Sequence, residues 1–211
     1  MLPPLEDGAA RPVVLVHGFA ASTTCWSALR RALRADGRVV ATFDYWPWAP
    51  SVGDLAHRLV TTVEDLLAVT GADKVDLVGH SLGGVVIAQA LTDDRLAGCV
   101  DRVVTLGSPF GGTVWARLFP AGPMVWELRP GSPLLRHLAA APPPTDVTWL
   151  AFASRSDQIV SPDSAVPVNR DATLVTIEGA GHSGMLLAPD VIAEIVEETK
   201  ARNNGPRRRI A

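Results

Sequence analysis

The sequence predicts an α/β fold: a central, mostly parallel sheet of about six strands with helices on both faces. Three observations lead there. Six short apolar runs rich in β-branched residues recur along the chain, and segments of helical periodicity fall between several of them. The runs are nearly unbroken rather than alternating, as expected of strands covered on both sides. The composition, 47% hydrophobic and 19% charged over 211 residues, suits a single globular domain spanning 1–211.

The strand runs are VVLVHG (Val13 to Gly18), RVVATFDY (Arg38 to Tyr45), KVDLVGH (Lys74 to His80), DRVVTLGS (Asp101 to Ser108), VTWLAFAS (Val147 to Ser154) and ATLVTIEG (Ala172 to Gly179). Helices are expected at Cys25 to Ala35, Ser51 to Thr70, Leu82 to Thr92 and Pro189 to Ala201. In the second, Leu55, Leu59, Val63, Leu66 and Leu67 recur at helical spacing behind Ser51, a good N-cap. The last opens at Pro189 and repeats Val191, Ile192, Ile195 and Val196 on one face. The proline-rich stretch from Pro109 to Thr145 shows only broken periodicity and reads as an irregular excursion between two strands. It is too apolar for a solvated linker, so it forms either satellite core or the walls of an apolar pocket, with room for a partial cover.

Several function classes fall away. A net charge of −3 provides no basic field, so nucleic acid is not an expected partner. The Arg207-Arg208-Arg209 run sits in a stretch, 202–211, that reads as a flexible tail. No apolar stretch is long enough for a transmembrane helix. The N-terminus has no charged n-region and apolar h-region, which suggests a cytoplasmic protein, or a secreted one already shorn of its leader. Cys25 and Cys99 fit neither a disulfide scaffold nor a thiolate metal site; free thiols are expected, one bridge being the alternative. A monomer is expected.

Chemistry concentrates in VDLVGHSLGGVVIAQAL, from Val75 to Leu91. Ser81 falls between a strand and a helix, flanked by Gly79 and Gly83, small enough to let the two backbones meet in a sharp turn. Such a turn projects the hydroxyl above the carboxyl edge of the sheet. The alternative is a glycine-rich turn with a passive serine. A nucleophilic serine needs a general base and an acid to orient it. Of the five histidines, His80 is adjacent to Ser81 and should leave the turn in another direction. His17 precedes a different loop, His57 sits on an amphipathic helix and His137 lies in the excursion. His182, in the glycine-flanked loop EGAGHSGML after the last strand, is the best base. Asp157 lies just past the preceding strand and is the matching acid. Asp163, after Pro162, is its rival but suits a turn or helix start better. Oxyanion donors are expected from the backbone N–H groups of Leu82 and Phe19, the second in the loop after the first strand.

With HGFAAS, GHSLGG, SRSDQIV and GAGHSGML in order, the chain resembles the serine α/β-hydrolases, and most closely their small bacterial lipases and esterases. The chain order Ser81, Asp157, His182 matches that family. The resemblance runs from Pro12 to about Thr199. It implies the α/β-hydrolase fold with little or no lid, an apolar ester or lipid substrate, and catalysis without metal or organic cofactor. Trp46 and Trp48 after the second strand, with Trp115, Met124 and Trp126 in the excursion, are pocket candidates. For Trp46 and Trp48, packing at the sheet edge is an equal alternative. The expected activity is carboxylic ester hydrolysis through an acyl-enzyme. A thioesterase, amidase or acyltransferase would use the same triad, and a non-catalytic ligand-binding module is the reading from another class.

Overall fold

The strands form where the apolar runs predict them, and the computed structural model describes residues 11–46, 51–118, 122–142, 144, 146–167 and 171–200. In chain order they are β1 (Val13–Val16), β2 (Val40–Phe43), β3 (Val75–His80), β4 (Val100–Leu106), β5 (Thr148–Ser154) and β6 (Ala172–Ile177). All pair in parallel, in the order β2-β1-β3-β4-β5-β6. Winding therefore reverses at β1, where β2 lies on one side and β3 on the other. The carboxyl ends of β1 and β3, in register at Val16 and Gly79, flank a topological switch point, where open α/β sheets place their crevice.

The helices are α1 (Ser27–Ala35), α2 (Val52–Thr70), α3 (Leu82–Ala90), α4 (Trp115–Leu118), α5 (Pro123–Glu127), α6 (Pro133–Ala140) and α7 (Pro189–Thr199). Alternating strand residues sort them to two faces. Val14, Val16, Leu77 and Val103 pack with α2, α3, α5 and α6. Val13, Leu15, Val78 and Val104 pack with α1 and α7. Both ends of α2 carry their signals: Ser51 Oγ accepts from Asp54 N at 3.0 Å, and Gly71 closes the helix in the left-handed region at φ 70°.

The excursion is less irregular than its sequence suggests, since α4, α5 and α6 occupy it. Each spans at most about two turns, too short for periodicity to register. Proline opens both α5 and α6, and Ser132 caps α6 by accepting from Leu135 N at 3.2 Å. Met124, Val125, Leu128, Leu135 and Leu138 all enter the core, so this part of the excursion is core.

At the other edge of the sheet Arg38 ties three segments together. Its guanidinium donates to Asp76 Oδ2 at 2.7 Å, to the carbonyl of Arg11 just before β1, and to that of Thr199 at the end of α7. Both Arg38 and Asp76 are buried. Burial pushes the Asp76 carboxyl above its ordinary value, and the cations of Arg11 and Arg38 oppose that rise.

Candidate active site

Ser81 occupies the turn between β3 and α3 with φ 54° and ψ −124°, a conformation rarely adopted by a residue with a side chain. The turn is fixed on both sides: Ser81 N donates to Leu106 O at 2.9 Å, and Gly84 N to Ser81 O at 3.1 Å. Gly83 is required by contact, because a Cβ there would stand 2.2 Å from the Val16 carbonyl oxygen of β1. The sharp turn thus exists because glycine lets α3 press against β1. Ser81 is half-buried, and its Oγ hydrogen-bonds no other described residue.

Asp157 stands three residues past the end of β5 and His182 five past the end of β6, so both loops leave the same sheet edge as Ser81. His182 Nδ1 donates to Asp157 Oδ2 at 2.7 Å. Asp157 Oδ1 accepts from the backbone N–H groups of Ile159 (2.8 Å) and Val160 (2.9 Å), so the carboxylate is aimed from both oxygens. Burial acts to raise its pKa, but the His182 hydrogen bond and the two N–H donors outweigh it and hold the carboxyl below its ordinary value. Asp163, by contrast, is exposed in the first turn of the short helix Pro162–Ala165.

The two loops are stitched together by serines whose part the sequence did not signal. Ser154 Oγ donates to Ala180 O, and Ser156 Oγ accepts from Gly179 N at 3.2 Å. Gly107, directly after β4, makes room for the pair. It has φ 52°, and a Cβ on it would lie 2.9 Å from Asp157 Oδ2 and 2.7 Å from Met185 Cε. His80, set aside as a base from its place in the turn, turns out to contact His182: its Nε2–H donates to the His182 carbonyl at 3.0 Å, and the rings lie 4.8 Å apart. Burial, then the neighbouring His182, lowers His80 to about 4, so it stays neutral.

The N–H groups of Phe19 and Leu82 donate to no acceptor among the described residues. Ala21 N closes a turn onto Gly18 O at 3.3 Å, with Ala20 at φ 53°, so the loop after β1 bends back immediately. The pocket candidates scatter. Trp46 is exposed and Met124 is buried in the core. Trp126 is half-exposed, with the Arg129 guanidinium 5.5 Å from its ring centre. Trp115 Nε1 donates to Gln158 O at 2.6 Å, which fastens the excursion to the Asp157 loop. Trp48 and the 202–211 stretch lie outside the described residues. A cavity of about 480 Å³, lined by residues including Leu91, Leu96, His137 and Val147, takes in none of the candidates. His57 and His137 are both exposed. Cys25 and Cys99 are free, half-buried thiols, and burial pushes Cys25 up to about 11. Among the described residues no helix is long and apolar enough to cross a membrane.

A six-stranded parallel sheet with these loops gathered at its carboxyl edge defines a hydrolase-like α/β protein, and comparison with known sequences gives the family. The chain belongs to the alpha/beta hydrolase family, whose model matches residues 13–155. That span takes in Phe19, Ser81 and Leu82 and ends just before Asp157. A triacylglycerol lipase of Pseudarthrobacter phenanthrenivorans is 32% identical over 117 residues, covering 50% of this chain and 35% of the relative. A probable esterase of Oryza sativa subsp. indica is 32% identical over 104 residues, or 46% of this chain and 39% of the relative. The chain thus matches only about a third of the length of these curated relatives. Among solved structures, the mature form of a Bacillus licheniformis lipase superposes with a TM-score of 0.80 at 19% identity, covering 94% of this chain and 96% of that one. The fold is shared with lipases.

Proposed function

We propose that the protein is a serine carboxylic ester hydrolase acting on apolar acyl esters through an acyl-enzyme. In this mechanism His182 Nε2 takes the proton from Ser81 Oγ as that oxygen attacks the ester carbonyl. Asp157 holds the imidazole in the Nδ1–H tautomer and stabilises its charged form. The N–H groups of Phe19 and Leu82 receive the developing oxyanion, with the α3 N-terminus adding favourable potential. The protonated His182 passes its proton to the departing alcohol, and water activated by the same ring then releases the acid.

The observation that carries the reading is the 2.7 Å bond from His182 Nδ1 to Asp157, since it leaves the other ring nitrogen for the serine. The N–H groups of Phe19 and Leu82, which donate to no acceptor among the described residues, add support, because free donors in the turns after β1 and β3 suit an oxyanion. The names of the lipase and esterase relatives point the same way. The exposed apolar side chains of the excursion, Val114, Leu118 and Trp126, favour an apolar acyl group over a charged substrate. The test is a p-nitrophenyl ester series from acetate to palmitate on wild type and Ser81→Ala. Ester turnover that vanishes in Ser81→Ala is expected; turnover that persists in a folded variant contradicts the assignment. The position of the maximum along the series distinguishes an esterase from a lipase.

A further inference from the structure

Two peptide planes in the loop after β5 aim the acid. The N–H groups of Ile159 and Val160 donate to Asp157 Oδ1 at 2.8 and 2.9 Å. Each belongs to a trans peptide whose carbonyl points the opposite way: Gln158 C=O backs the Ile159 N–H, and Ile159 C=O backs the Val160 N–H. Whatever holds those two carbonyls therefore holds the two donors.

Both carbonyls are held from the excursion, by side chains 43 and 46 residues earlier in the chain. Trp115 Nε1–H donates to Gln158 O at 2.6 Å, and the Thr113 hydroxyl donates to Ile159 O at 2.5 Å. The two clamps are tied to each other and to the fold. Thr113 Oγ1 accepts from Trp115 N at 3.3 Å, and Thr113 N donates to Leu128 O at 2.9 Å. Along the same seam Gly111 N donates to Ser164 O at 3.0 Å, and Ser164 Oγ donates to Gly112 O at 2.8 Å. Thr113 is buried, which shields its hydroxyl bond from competing water.

We infer that Thr113 and Trp115 are positioning residues for the acid: they clamp the Gln158–Ile159 and Ile159–Val160 peptides, and through these hold Asp157 against His182. The inference rests on the ester-hydrolase reading above. The carboxylate matters most when the imidazole becomes charged, so a loosened acid lowers kcat and leaves ground-state binding nearly untouched. The segment that sends Met124 and Leu135 into the core thus also sets the geometry of the catalytic pair.

Three substitutions separate this from a packing role. Thr113→Val keeps the volume and removes the donor, Thr113→Ser keeps the donor, and Trp115→Phe removes the indole N–H. The measurement is kcat and KM on a p-nitrophenyl ester for each, in wild type and in an Asp157→Asn background. That background retains an acceptor for the two N–H groups but no charge for the imidazole. In wild type, Thr113→Val and Trp115→Phe are each expected to lose roughly tenfold in kcat at little-changed KM. In the Asp157→Asn background the same changes should cost less than about twofold, because the group they aim has already lost its effect. Thr113→Ser should recover most of the loss. Unchanged kcat, a loss confined to KM, equal losses in Ser and Val, or the same factor lost in both backgrounds overturns the inference. If Thr113→Val does not fold, Trp115→Phe decides alone: unchanged kcat, or an equal loss in both backgrounds, counts against it. Ester turnover that survives Ser81→Ala would instead sink the ester-hydrolase reading, and that outcome is distinct from all of these.

Discussion

His182 and Asp157 form a pair whose carboxylate is oriented from three directions, by the His182 ring at 2.7 Å and by the Ile159 and Val160 N–H groups at 2.8 and 2.9 Å. The acid therefore cannot swing away from the ring without breaking its own loop.

Asp157→Asn should keep the fold and reduce kcat by about three to four orders of magnitude, because an amide facing Nδ1 favours the wrong tautomer. Steady-state kinetics beside a circular dichroism spectrum checks this. A variant within tenfold of wild type would contradict the role given to the carboxylate.

The same carboxyl links stability to pH. It titrates below its ordinary value of 3.8 in the folded state, so the unfolded chain binds that proton more readily. Its contribution is complete above the ordinary value and is lost as pH falls through the folded one. Thermal melting carried down into the carboxyl range should show wild type losing more stability than Asp157→Asn. Parallel curves for the two proteins would count against the coupling.

Gly107→Ala should destabilise by about 1–3 kcal/mol and also impair turnover. Its φ of 52° disfavours any side chain, and the new methyl would press on Asp157 Oδ2 and Met185 Cε. A melting temperature and kcat both near wild type would show that the loop yields without cost.

Arg38→Met removes the cation that joins Asp76 to the carbonyls of Arg11 and Thr199. Arg11 still reaches Asp76 Oδ1 at 3.2 Å, so the acid keeps one partner. A loss of about 3 kcal/mol in urea unfolding is expected, with KM unchanged because the cluster lies far from Ser81. A neutral effect would mean that Arg11 alone satisfies the buried carboxylate.

Much of this was legible in the sequence, for identifiable reasons. Strands buried on both faces announce themselves as apolar runs, so β1 to β6 fall where VVLV or TWLAFAS would place them. The Ser81 turn was readable because glycines either side of a serine have few other uses between a strand and a helix. Asp157 and His182 stood out as candidates by their places after successive strands, and their side chains pair in the structure. The excursion hid α4 to α6, whose prolines break periodicity while also starting helices. The parts played by His80, Gly107 and Ser154 were invisible because each acts on a residue distant in the sequence: the His182 carbonyl, the Asp157 carboxylate and the Ala180 carbonyl. No local pattern announces a histidine that holds the carbonyl of His182 from across the sheet edge.

The central claim is that Ser81 is the nucleophile, and covalent labelling tests it most directly. Treatment of the intact protein with a fluorophosphonate, followed by digestion and mass spectrometry, should place one adduct on Ser81 and abolish ester turnover in step with labelling. The adduct should be absent from Ser81→Ala. Full inactivation with the label on another residue, or ester turnover undiminished in a fully labelled protein, would contradict the account.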